Sequence, residues 1–65
     1  MTENNLRKIR KDKRLSQLQL SVKTEISPGI ISSIENNKIY AYPGWRERLA
    51  NALEVEEEEI WPDNN

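Results

Sequence analysis

With 65 residues, ten of them Lys or Arg and eleven Asp or Glu, the chain has room for one domain whose small core lies near the lower limit of independent folding. It has no Cys and no His, which excludes a disulfide framework, a thiolate metal site, the commonest zinc ligand and the usual general base. No apolar run approaches the roughly 18 to 20 residues of a membrane span and the start lacks the apolar stretch of a signal peptide, so the cytoplasm is the expected compartment.

A first helix is predicted over about residues 6–13. Leu6, Ile9 and Lys13 share one side of it, Arg10 lies at the edge of that side, and Arg7, Lys8, Lys11 and Arg14 point elsewhere. Arg10 is therefore the basic residue expected to be partly buried. Ser16 opens the second helix, because its hydroxyl can accept from the free N–H groups of the first turn, and that helix runs to about Thr24. Leu18 and Val22 lie side by side on it, roughly opposite Leu20, so one side or the other is left exposed.

Ser27 repeats the capping device, and Pro28 falls at a first helical position, where its missing N–H costs nothing. The third helix that follows has Ile30, Ile31 and Ile34 as its buried stripe and Gly29, Ser32, Ser33 and Asn36 on its opposite, small and polar face. At Asn37 the chain turns, and Asn tolerates the left-handed conformation better than most residues. Lys38-Ile39-Tyr40-Ala41-Tyr42-Pro43 is expected to be a loop, either a connector over the core or a phosphate clamp using Lys38, the loop N–H groups and Tyr40.

A fourth helix carries Trp45, Leu49, Ala52 and Leu53 at helical spacing, a pattern of core packing. Four consecutive glutamates at 56–59 cannot converge on one ion, and they suit the first turn of a short last helix that closes at Ile60-Trp61. Pro62 and Asp63-Asn64-Asn65 read as a frayed end. No cofactor and no metal is expected, and no nucleophile and base pair or glycine-rich phosphate loop can be drawn.

Ser16-Gln17, Leu20-Ser21, Ile26-Ser27-Pro28 and Ile31-Ser32-Ser33-Ile34-Glu35-Asn36 describe two helices joined by a short turn, the construction of a helix-turn-helix DNA reader. With Leu6-Arg7-Lys8-Ile9-Arg10 before them and Leu49-Ala50-Asn51-Ala52-Leu53 and the stretch 55–61 after, nearly the whole chain resembles the phage repressor and Cro type of helix-turn-helix protein, the XRE family. The resemblance implies a compact all-α bundle of five helices with the motif at about 16–36. It implies a regulator of transcription, a repressor, that binds double-stranded DNA.

Site residues follow from the same likeness. Gln17, at the start of the first motif helix, is placed as a phosphate or base contact. The third helix enters the major groove with Ser27, Pro28, Gly29, Ser32 and Ser33 nearest the bases, while Asn36 and Lys38 complete the DNA-facing set. Arg10 and Glu35 form a structural ion pair in such proteins. Relatives carry longer polar side chains at the base-facing positions, so direct readout here is weak per residue and specificity shifts toward thymine methyls, close backbone approach at Gly29, water or DNA shape. Glu25 and Glu54 stand where relatives usually have glycine, and Leu18 and Val22 where they usually have polar residues. That apolar pair is either incidental or a contact for a partner protein.

The net charge of −1 conceals a division. All ten Lys and Arg lie within residues 1–48 against five acids, and residues 49–65 hold the other six acids and no base. A basic front with an acidic tail on the far side presents a positive surface to phosphate. The expected function is sequence-specific DNA binding without catalysis, as a homodimer on two half-sites joined through the loop after Asn37 or the Ile60-Trp61 end. The alternative is a protein-interaction or antitoxin-like adaptor on the same fold, with weak or lost DNA binding.

Overall fold

Local capping chemistry decides where the second and third helices begin. The computed structural model describes residues 4–62 and has five helices: α1 (Leu6–Asp12), α2 (Gln17–Thr24), α3 (Pro28–Glu35), α4 (Pro43–Leu53) and α5 (Glu57–Ile60). Ser16 caps α2 by accepting from the Gln19 N–H at 3.0 Å, and the Gln19 side chain accepts in return from the Ser16 N–H at 2.8 Å. Ser27 accepts from the Ile30 N–H at 3.2 Å and Pro28 opens α3, as its sequence requires. Pro43, expected in the loop, instead occupies the first turn of α4, where a proline is equally at home. The frayed end expected at 62–65 lies, beyond Pro62, outside the described residues.

Left-handed residues follow the ends of the first four helices: Arg14 (φ 61°), Glu25 (φ 60°), Asn37 (φ 58°) and Glu54 (φ 60°). After α3 the Lys38 N–H donates to the Ser33 carbonyl at 2.8 Å and the Asn37 N–H to that of Ile34 at 3.0 Å, which satisfies carbonyls the helix leaves open. Leu15 onto Arg10 and Val55 onto Ala50 repeat the longer of these bonds after α1 and α4. The turn at Arg14 ends α1 before Lys13 can join its inner face, so Lys13 is exposed rather than packed beside Leu6.

α2 packs on both α3 and α4, α1 packs on α3, and α5 packs on α4. Leu6, Leu20, Ile31, Ile34, Leu49, Leu53 and Ile60 are fully buried where these helices meet. Trp61 and Ala50 join them, while Ile30, Trp45 and Ala52 are only partly covered. Burial of Ile60 and Trp61 corrects the expectation that this end offers a dimer contact. Its apolar atoms complete the core of its own chain.

The acidic helix α5 lies beside α1. Asn5 donates through its backbone N–H to the Ile60 carbonyl at 2.8 Å and through its side chain to that of Glu59 at 3.0 Å, tying the start of α1 to α5. Glu58 and Glu59 consequently share a cleft with Lys8 and Asp12.

Candidate nucleic-acid interface

Because Ile31 and Ile34 are drawn into the core, the other side of α3 is left open. Ser27, Pro28 and Gly29 are exposed at its N-terminal end, Ser32 and Ser33 are half-exposed along it, and Asn36 is exposed at its far end. A Cβ placed on Gly29 would meet nothing within 4 Å, so the backbone there is open to close approach. Lys38 stands exposed just past the helix. Seven of the eight residues expected to face DNA thus lie on or beside one continuous surface.

Gln17 differs. It is half-buried, and its side-chain Nε2 donates to Glu35 Oε1 at 3.0 Å. The amide belongs to a network centred on Glu35, whose carboxylate also receives Arg10 Nε at 2.6 Å on Oε2 and Arg10 Nη2 at 3.3 Å on Oε1. Arg10 completes its own fork by donating from Nη1 to the Leu15 carbonyl at 2.8 Å. Burial pushes the Glu35 carboxyl up, but the hydrogen bonds from Arg10 and Gln17, the Arg10 charge and the Arg7 hydrogen bond outweigh it and hold the group below its ordinary value.

Arg7 is the residue that the reading of spacing missed. Its Nε lies 3.4 Å from Glu35 Oε1, and its Nη2 donates to the Asn36 side-chain oxygen at 2.7 Å. Residues three apart on a helix are neighbours, so Arg7 and Arg10 could have been recognised as able to reach one carboxylate. The Asn36 amide in turn donates to the Ser32 carbonyl at 2.9 Å. The C-terminal end of α3 is therefore clasped to α1 through side chains.

Residues 4–61 match the family of helix-turn-helix domains. The chain belongs to that family. The finding agrees with the resemblance to the phage repressor and Cro type, and it covers all five helices. A comparison with curated proteins found no match. In this helix-turn-helix domain α2 and α3 are the two helices of the motif, and Glu25, left-handed, provides the turn between them in place of a glycine.

Two further surfaces flank the motif. Leu18 and Val22 on α2 are 65% and 74% exposed while Leu20 is fully buried, which decides the ambiguity of that helix in favour of Leu20 as core. Between α3 and α4, Ile39, Tyr40 and Tyr42 are exposed but their backbone is braced. Tyr40 meets Tyr42 edge-on at 5.3 Å, Tyr42 meets Trp45 at 5.2 Å, and the Arg46 guanidinium lies 5.3 Å from the Tyr40 ring and 4.8 Å from that of Trp61. Arg46 Nε also donates to the Ala41 carbonyl at 2.7 Å, fastening the loop to α4.

Proposed function

We propose that this chain acts in the cytoplasm as one helix-turn-helix domain that binds double-stranded DNA sequence-specifically and regulates transcription as a repressor. The observation that carries this reading is the open face of α3, where small polar residues and an unobstructed Gly29 sit beside a buried isoleucine stripe. Such a helix can enter the major groove closely, with Ser27, Pro28, Gly29, Ser32 and Ser33 toward the bases. Gln17, Asn36 and Lys38 then serve the backbone at the C-terminal end of the helix, Gln17 through what its Glu35 bond leaves of its amide. Repression is the simplest output, because occupancy alone excludes other proteins from the site.

No catalytic role is assigned, and two copies on DNA make up for the short side chains of a single reading helix. A second reading is favoured by the exposed Leu18 and Val22: an adaptor that binds a protein through α2 and has little affinity for DNA. Selection of bound sites from random duplex DNA separates the two. Enrichment of one motif is expected of the regulator, and no enriched motif would favour the adaptor.

A further inference from the structure

Beyond the Asn36 end of α3 lies a cleft of about 450 Å³ between that end and α1, with Asn4, Arg7, Lys11, Asn36 and Asn37 in its walls. Which charges remain available there depends on what is already paired. Glu35, at its base, is closed by the Arg10 fork. Lys8 lies 3.9 Å from Asp12 and also lines the cleft of Glu58 and Glu59, so its charge is opposed from two elements.

Arg7 and Lys11 remain, exposed and one helical turn apart, Arg7 because its charge and that of Arg10 together meet the single negative charge of Glu35. Among the described residues Lys11 has no ion pair, and the Nη1 group of Arg7 has no hydrogen-bond acceptor. Glu35 and Asn36 hold the Arg7 guanidinium in one orientation, which lowers the entropy cost of one more charge-assisted bond. Through Asn36 and Ser32 the same guanidinium is continuous with the open face of α3.

We propose that this cleft is a second contact with the duplex, in which Arg7 and Lys11 hold a backbone phosphate flanking the bases that α3 faces. The inference rests on the DNA-binding reading above. A recognition helix lying in the groove brings the sugar-phosphate backbone to the elements at its ends, and such contacts fix register without reading sequence. The cleft is open, polar and cationic at that end, as a phosphate requires.

The test compares the full chain with Arg7→Gln, Lys11→Gln and Lys23→Gln on a selected site and on a duplex of random sequence over a salt series. Lys23 lies outside the cleft, in the last turn of α2, in a groove with Arg48 and Glu54. Each cleft variant is expected to flatten the slope of log affinity against log salt by about 1 on both duplexes, with Lys23→Gln unchanged. Lys11→Gln removes no hydrogen bond or ion pair among the described residues, so it reports on the contact even if Arg7→Gln alters folding. Wild-type binding with unchanged slopes in the cleft variants, or equal flattening by Lys23→Gln, overturns the inference and leaves the DNA-binding reading standing. Absence of duplex binding by the wild-type chain overturns both.

Discussion

Glu35 gathers donors from two other helices, and the energetic consequence is large because its side chain and that of Arg10 are almost wholly removed from water. Breaking a buried pair strands the remaining charge, so Arg10→Ala and Glu35→Ala are each expected to cost about 3 to 5 kcal/mol. The double variant should lose less than the sum, since no stranded partner is left, and denaturant melts of the four proteins measure the difference. Simple additivity would mean that the two groups do not interact. The Glu35 carboxyl titrates below its ordinary value in the folded chain, and the sign of its pH effect follows. Its contribution is fully present above the unfolded value and is lost as pH falls through the lower, folded one. The stability gap between wild type and Glu35→Gln should therefore narrow on acidification through that range, as urea melts at successive pH values would record.

At the level of elements, α3 divides into a packing side and an open side, and substitutions should divide with it. Ile31→Ala and Ile34→Ala remove fully buried side chains and are expected to cost about 2 to 5 kcal/mol. Ser32→Ala and Ser33→Ala should leave the melting temperature nearly unchanged while altering affinity for a selected site. Serine variants that unfold, or that bind as before, would contradict the assignment of the open side. The turns make a different demand. Glu25 and Glu54 are held left-handed, a conformation that costs a residue with a Cβ about 1 kcal/mol. Glycine at either position should raise stability by up to about 0.5 kcal/mol, net of the entropy it adds to the unfolded chain. A loss of stability in thermal melts would show that the Glu side chains hold the turns by contacts of their own.

For the whole molecule, the placement of α5 matters most. Ile60 and Trp61 close the core and Asn5 ties Ile60 to α1, which leaves the loop between α3 and α4, among the described residues, as the exposed apolar surface outside the motif. Ile39, Tyr40 and Tyr42 are exposed there on a backbone that Arg46 restrains, so a contact between two copies through them need not order the loop anew. The expected assembly is a dimer on DNA, with inverted half-sites about 34 Å apart centre to centre. Footprinting on a selected site, with stoichiometry by sedimentation, checks it. One protein per duplex on a single unpaired half-site would reject the dimer.

What could be read directly from the residues is what is decided within a turn or two of chain. Ser16, Ser27 and Pro28 start their helices through bonds and dihedral angles that span three or four residues, and the apolar spacing of Ile31, Ile34, Leu49 and Leu53 assigns their faces without knowledge of any neighbour. The Arg10 and Glu35 pair was legible because periodicity put Arg10 beside a packing face and the family likeness supplied its partner. Other features depended on which helix lies against which. α2 could have buried Leu20 or the pair Leu18 and Val22, and only its seat between α3 and α4 chose Leu20. Gln17 and Arg7 reach Glu35 across 18 and 28 residues of sequence, and Asn5 reaches the Ile60 carbonyl across the length of the domain. Beyond the three-residue spacing of Arg7 and Arg10, such contacts carry no local signature, since each side chain has other favourable partners in water until packing brings one acceptor within reach.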